Sequence, residues 1–154
     1  MKYLKPGILC LFVFSLCAVV SAQKIVTPNP NAPVKPRLFK DVPDRLNVPA
    51  SKLSTVIALK KGQFASISLS DKFIFNGTVL SSVSKYNDAI QSTVIKSADY
   101  PDARLTVSKV KKSDGSIVYR GRIISFTHGD CFELKNENGQ YILVKKNFED
   151  MVND

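Results

Sequence analysis

The chain has 154 residues and a formal net charge of +9, from 22 Lys and Arg against 13 Asp and Glu. This length suits a single domain with its own hydrophobic core. One histidine and seven dispersed glycines provide neither a metal-ligand cluster nor a phosphate-binding loop. We therefore expect no metal, no cofactor and no catalytic residues.

Residues 1–22 have the organisation of an export signal. Lys2 and Lys5 precede an apolar run over residues 7–20, and small residues follow up to Ala22. The run is shorter than the roughly 20 apolar residues that a membrane-spanning helix needs. We expect cleavage after Ala22 and export to the periplasm or the medium, with a retained signal anchor as the alternative.

Cysteine use follows from this signal. Cys10 and Cys17 would leave with it, so Cys131 would be the single cysteine of the mature chain. One cysteine cannot form an internal disulfide, and the fold would depend on its core. Whether Cys131 is free or forms an intermolecular disulfide stays open.

Six of the eight prolines fall between residues 23 and 49. Proline lacks an amide donor and biases its neighbour toward extended geometry, so residues 23–37 are predicted to form a proline-rich tether. Apolar residues are interspersed over residues 38–48, which indicates that this part lies against the domain. The domain itself is predicted to span residues 38–154.

One helix is predicted, over residues 51–61. Ser51 is a candidate N-cap, and Gly62 suits the left-handed conformation that ends many helices. The residues that share one helical face are Leu53, Val56, Ile57 and Lys60.

After Gly62 the hydrophobic period changes to two, which is typical of half-buried strands. Asn76-Gly77 is interpreted as a bulge within one strand, because the alternation continues beyond it. We predict about seven antiparallel strands in a curved sheet or small barrel, with the helix packed on it. The strands fall near residues 65–69, 73–80, 91–96, 103–110, 116–126, 131–135 and 140–146.

Turn lengths predict how the last strands pair. A three-residue loop over 113–115 places Lys111 opposite Ile117. Four-residue loops over 127–130 and 136–139 place Ile124 opposite Glu133 and Leu134 opposite Tyr141. One face then forms the core, with Leu105, Val107, Ile117, Tyr119, Ile123, Phe132, Leu134, Tyr141 and Leu143 on it.

The opposite face is divided. Near the Thr127–Asp130 turn it is apolar, and we expect the helix or the 38–48 segment to cover Ile124, Phe126, Cys131, Ile142 and Val144. Its other end is basic, with Arg104, Arg120, Arg122 and Lys135. In an exported protein this basic face would meet an anionic envelope component, although the residues alone favour a merely solvated face that keeps the domain soluble. Nucleic acid is disfavoured because Tyr119 and Tyr141 lie on the core face.

One cluster suggests catalysis: His128 with Asp130 and Cys131. A Cys-His nucleophile needs the imidazole within hydrogen-bonding reach of sulfur and a third group to orient it. Here Cys131 points into the apolar end while His128 lies in a turn. We predict a structural turn and a buried thiol.

The motifs in residues 121–146 are G-R-I, H-G-D, F-E-L and E-N-G-x-Y. In these the chain resembles a group of small exported proteins of Gram-negative bacteria, a resemblance that implies no activity, substrate or catalytic residue. More weakly, its glycine turns and serine-bearing strands are similar to prodomains of secreted metalloproteases, but the chain has no H-E-x-x-H motif. That similarity is an analogy of fold alone.

Two functional hypotheses follow. The first is an exported, non-enzymatic β domain that binds a protein partner or an anionic envelope component. The second is a prodomain-like inhibitor or chaperone of a separately encoded exported enzyme, docked by its sheet edge.

Overall fold

The computed structural model describes residues 35–153. The predicted signal peptide and residues 23–34 of the predicted tether lie outside these residues. The described chain is mainly β, with eight antiparallel strands in one strongly curled half-barrel sheet. The elements are β1 (Arg45–Asn47), α1 (Ala50–Ala58), β2 (Phe64–Ser70), β3 (Phe73–Lys85), β4 (Ile90–Ser97), β5 (Arg104–Lys111), β6 (Ile117–Ile124), β7 (Asp130–Glu137), β8 (Gln140–Asn147) and α2 (Phe148–Asn153).

The strand order across the sheet is β1-β8-β7-β6-β5-β4-β3-β2. Strands β2 to β8 therefore form one meander, and β1 closes back beside β8. The prediction of about seven strands missed β1. This strand has only three residues between Pro43 and Pro49, too few to show an alternating pattern.

Helix α1 is shorter than predicted. It begins after Pro49, which occupies the N-cap position without a side-chain hydrogen bond, so Ser51 is not the cap. The helix ends at Ala58 because Leu59 is already extended, and Gly62 adopts its positive φ of 83° in a separate turn. The predicted apolar face is confirmed: Leu53, Val56 and Ile57 are buried, whereas Lys60 is exposed.

Strand β3 runs through Asn76-Gly77 without interruption, as predicted, but the bulge is elsewhere. The register with β2 is regular at Gly77, and the irregularities fall between Ser68 and Ser70 and between Val79 and Ser81. Gly77 has a different reason to be glycine. A Cβ there would overlap the carbonyl oxygen of Lys96 on the neighbouring strand.

The β5–β6 register is confirmed, with Lys111 opposite Ile117. The β7–β8 register is wrong by two residues, because the turn is the two-residue Asn138-Gly139 with φ of 51° and 85°. Leu134 is therefore opposite Leu143.

The β6–β7 register differs from the prediction in the same way. Glu133 is opposite Arg122 and not Ile124. Because side chains alternate with period two, a slip of two leaves every residue on its predicted face. The face assignments of β7 and β8 therefore hold although their pairing does not.

The core lies on the inner face of the curled sheet. Seven of the nine residues predicted there are buried; Tyr119 is partly buried, and Ile117 is 48% exposed because it begins its strand at the end of the sheet. Helix α1 packs on this inner face, as the core residues Leu53 and Val56 show. Phe39, from the segment before β1, is fully buried with its ring 5.2 Å from that of Phe132.

Part of the apolar end of the outer face, at Cys131 and Phe126, packs against α2, which corrects the expectation that α1 or the 38–48 segment covers these two residues. Cys131 Sγ lies 3.9 Å from Met151 Sδ, and the Phe126 and Phe148 rings meet at 5.7 Å. Phe126 nevertheless stays 60% exposed. Within residues 35–153 no helix is long and apolar enough to span a bilayer.

Candidate functional site

Asp130 holds the N-terminal segment against the sheet. Its carboxylate is 2% exposed and accepts the backbone N–H groups of Leu38 at 2.6 Å and Phe39 at 2.8 Å. A buried carboxylate needs such donors, because desolvation without them is costly. Both oxygens of Asp130 are thus occupied by the backbone of a segment more than 90 residues away in sequence.

The neighbouring residue completes this attachment. Gly129 N–H donates to Pro36 O at 3.0 Å, and Gly129 O accepts the N–H of Phe148 at 2.7 Å. Lys35 Nζ donates to Phe126 O at 3.0 Å and lies 5.0 Å from the centre of the Phe148 ring. The last residues of the predicted tether, 35–37, therefore pack against the domain.

His128 makes its contacts within its own turn. Its Nδ1 lies 2.8 Å from Ser125 Oγ and 3.0 Å from Thr127 Oγ1. Ser125 is fully buried, so its hydroxyl offers no nucleophile to a substrate. Since Asp130 is engaged with backbone groups, no carboxylate orients the imidazole, and a catalytic triad is not assembled.

Cys131 is buried on the outer face under α2. Its Sγ lies 3.6 Å from Lys146 O and 3.9 Å from Met151 Sδ. Burial, with Asp130 as the second cause, raises the pKa of the Cys131 thiol to about 11. A thiol with that pKa carries almost no thiolate at neutral pH, the opposite of an activated nucleophile.

No metal centre forms in the part of the chain that the structure describes, where no three His, Cys, Asp or Glu side chains converge. The structure does bring His128, Asp130 and Cys131 close in the chain, but each has a different structural partner. Cys131 is buried, as predicted, and a purely structural role for the His128 turn stays a prediction.

The predicted basic face is assembled on β5 and β6. Arg104, Arg120 and Arg122 are exposed, and the register places Ser108 opposite Arg120 and Thr106 opposite Arg122. All three arginines lie on the outer face, since the alternating residues Leu105 and Ile123 are buried in the core. Among residues 35–151, none of the three has a hydrogen bond or an ion pair from its side chain.

Lys135 belongs to this face less completely. It is half-buried and lies 3.7 Å from Glu133, which also pairs with Lys146 at 3.0 Å. Glu133 is opposite Arg122 in the register, but its oxygen is turned to the two lysines. Arg122 is thereby left available, while Lys135 is partly neutralised.

Lys96, which was not among the predicted basic residues, is exposed and directly opposite Arg104. Its alternation with the buried Ile95 was the signal that would have placed it on the outer face. The basic face is defined from here as Lys96, Arg104, Arg120 and Arg122.

A second exposed feature lies at the end of the sheet where β3 and β4 join. Val83, Tyr86 and Ile90 are 45%, 76% and 40% exposed. The residues Tyr86, Asn87 and Asp88 of the connecting turn all have positive φ, between 51° and 64°. This hairpin tip was not predicted, because the alternating pattern placed the end of β3 near residue 80 and the start of β4 at residue 91.

The two edge strands border a third feature. A cleft of about 430 Å³ lies between β1 and the end of β2, lined among others by Arg45, Lys52, Ser68 and Lys72. It is open to solvent. Arg45 is already paired with Glu137 at 2.7 Å.

No family model, curated protein or solved structure matches this chain. The functional argument therefore depends on the residues and contacts described above.

Proposed function

We propose that this protein is an exported, non-enzymatic β domain whose basic face binds an anionic component of the cell envelope. The observation that carries the proposal is the set of exposed arginines, Arg104, Arg120 and Arg122, on two paired strands, none of which forms a side-chain ion pair with residues 35–151. Lys96 extends the set onto β4.

The spacing of these cations suits an extended polyanion. Neighbouring strands lie about 4.8 Å apart, and residues two apart along a strand are separated by about 6.8 Å. Arg120 and Arg122 are two apart on β6, and Arg104 lies on the adjacent β5. Guanidinium groups at such intervals can contact successive phosphate or carboxylate groups, each through a planar pair of donors.

The surroundings favour an anion over a small-molecule substrate. The residues opposite Arg120 and Arg122 on β5 are the small polar Ser108 and Thr106, which leave the two guanidinium groups accessible on the strand surface. Nucleic-acid binding is disfavoured because Tyr119 and Tyr141 pack against each other on the inner face, with their rings 5.6 Å apart. Bases would find no aromatic platform among these cations.

The proposal also includes the cellular location of the protein. The predicted signal over residues 1–22 would deliver the chain to a compartment rich in phosphorylated glycolipid and anionic phospholipid. A buried, high-pKa thiol and the unassembled His128 turn leave no catalytic group at this face. Binding is therefore the activity that the exposed groups support.

The test is binding to long-chain inorganic polyphosphate, measured by titration calorimetry at low salt. The variant R104Q/R120Q/R122Q removes the three charges and leaves the strands intact. The matched control K40Q/K60Q/K61Q removes the same net charge from exposed lysines elsewhere. We expect the arginine variant to lose at least about tenfold in affinity, since each cation near an anionic surface contributes about 1 kcal/mol.

The control variant should lose less than about threefold, because only the long-range attraction of net charge is changed. Equal losses in the two variants would show that polyphosphate responds to overall charge, and the proposal would then be wrong. Absence of any binding by the wild-type chain would contradict it too.

A second candidate, a prodomain-like inhibitor or chaperone of an exported hydrolase, is favoured by the cleft between β1 and β2. Unpaired strand edges accept an added strand from a partner. A strand added by a partner would have to widen the cleft between β1 and β2, so we rank this candidate second. Stoichiometric co-purification of a hydrolase from the periplasm or medium, lost in a Ser66→Pro edge variant, would support it. Co-purification that the edge variant leaves unchanged would exclude edge docking.

A further inference from the structure

We propose that the hairpin tip inserts into the surface of an anionic lipid bilayer and that the basic face then binds the phosphate layer of the same membrane. The inference rests on the proposed function and names its polyanion as lipid headgroups. The hairpin tip is defined as residues 83–90.

The hairpin tip carries exposed apolar side chains among polar ones such as Ser84 and Asn87. Tyr86 has the largest exposed fraction among the large apolar side chains, 76%, and Val83 and Ile90 are exposed near it. The apolar surface continues across the sheet on the same outer face. Ile90 is opposite Val110, and Val110 is opposite Val118.

Cations surround this apolar surface. Lys85 is opposite Ile90 at the end of β3, and Lys111 and Lys112 precede the neighbouring β5–β6 turn; all three are exposed. Arg120 of the basic face is two residues beyond Val118 on β6. A lysine stem can lie along acyl chains while its ammonium stays at the headgroups, so this arrangement matches an anionic interface.

The backbone of the turn holds Tyr86 in a fixed and strained conformation. Three successive non-glycine residues, Tyr86, Asn87 and Asp88, are held with positive φ, which costs free energy at each. The turn is fixed by the Ala89 N–H to Tyr86 O bond at 3.1 Å and by the Lys111 N–H to Ala89 O bond at 2.8 Å.

Asp88, the acidic residue of the hairpin tip, accepts its hydrogen bonds from side chains beside the turn. Asp88 Oδ1 accepts the hydroxyl of Ser84 and the side-chain amide of Gln91. The carboxylate is thus part of the turn's own hydrogen-bonding network, and it stays exposed beside the cation Lys85.

Shape and chemistry favour a bilayer over a protein partner. The apolar residues project from a hairpin end instead of lining a groove, and they are bordered by cations on adjacent strands. Tyrosine is enriched at membrane–water interfaces because its ring is apolar and its hydroxyl is polar. Shallow insertion of a few such residues together with several cations is a known way to bind membranes reversibly.

The chain contains no tryptophan, so one introduced tryptophan reports on a single position. In Tyr86→Trp we expect a blue-shifted emission on vesicles with phosphatidylglycerol, and quenching by lipids brominated on their acyl chains. Phe126→Trp is the matched control, because Phe126 is also exposed, at 60%, but lies by the Thr127–Asp130 turn at the other end of the sheet. The control should show neither change.

The variant Tyr86→Asn tests the contribution of the ring, since asparagine tolerates positive φ. We expect it to lower the affinity for these vesicles about tenfold and to leave polyphosphate binding unchanged, because binding scales with buried apolar area.

The outcomes separate this inference from the proposed function. Vesicle binding without a spectral change at residue 86, or with equal changes at residues 86 and 126, would overturn tip insertion and leave the basic face as the binding site. Polyphosphate binding without vesicle binding would overturn the membrane inference alone. Loss of both would contradict both.

Discussion

The two ends of the outer face use their residues in opposite ways. At the Thr127–Asp130 end the polar groups are directed inward: Asp130 holds the backbone of residues 38 and 39, and His128 is bonded to hydroxyls of its own turn. At the hairpin end, apolar side chains project into solvent, and Arg120, two residues beyond Val118 on β6, has no side-chain partner among residues 35–151. The residues that could take part in catalysis by their type, such as His128 and Asp130, thus lie at the end where polar side chains already have structural partners.

The difference shows why residue type alone misleads in this chain. A histidine, an aspartate and a cysteine within four positions suggest chemistry, but each is occupied by a structural contact. Arg104, Arg120 and Arg122 suggest only solubility, yet they are the groups left available for a ligand. Exposed side chains that have no structural partner among the described residues are the better guide to function here.

The largest expected effect is that of substituting Asp130, which tests whether the Thr127–Asp130 end of the outer face has a structural role. We expect Asp130→Ala to lower the free energy of unfolding by about 3 kcal/mol, because two buried backbone donors lose a charged acceptor. Asp130→Asn should cost less, since its amide oxygen still accepts one bond. Urea unfolding followed by circular dichroism would measure both.

Two controls accompany that measurement. Asp71→Ala removes an equal charge from an exposed turn, and Tyr86→Asn alters the hairpin tip; each should change the free energy of unfolding by less than about 0.5 kcal/mol. A small loss in Asp130→Ala would show that residues 35–39 are not held by this carboxylate.

A smaller effect is expected for the reactivity and pH dependence of the Cys131 thiol. Since burial raises the pKa of Cys131 to about 11 from an ordinary 9.0, the native protein should react slowly with iodoacetamide at pH 8. The raised pKa contributes stability below pH 9, and this contribution is lost as the pH rises toward 11. In Cys131→Ala that part of the alkaline loss should disappear from urea unfolding measured between pH 8 and 11.

Rapid alkylation of the folded chain at pH 8 would contradict the account of a buried, inert thiol. The unfolded chain in urea provides the reference rate, because there the thiol has its ordinary pKa.

The sequence predicted the faces of the sheet better than the pairing of its strands. Alternation of period two assigns Leu134 or Arg122 to a face whatever the loop length, and a slip of two residues does not alter it. For the same reason the apolar pattern could not choose between a four-residue loop and the two-residue Asn138-Gly139 turn. The β5–β6 register was predictable because a change of one residue there would have reversed the faces.

Other features depend on contacts that no local pattern records. The partners of Asp130 lie 91 and 92 positions away, and β1 is too short to alternate. Helix α2 covers Cys131, but it has only six residues, so the i, i+3, i+4 spacing of its apolar residues is too short a pattern to predict a helix from. The basic face, by contrast, follows from alternation alone, which is why three of its four predicted members lie together and Lys96 could have been added.

The central claim is that the outer face of β4 to β6, and not the overall positive charge, binds polyanions. The most direct test is a titration of ¹⁵N-labelled protein with inorganic polyphosphate, followed by amide chemical shifts. The account predicts the largest shifts at Lys96, Arg104, Arg120 and Arg122 and small shifts at Lys60 and Lys61. Shifts that are largest at the Thr127–Asp130 turn, or equal on all lysines and arginines, would contradict it.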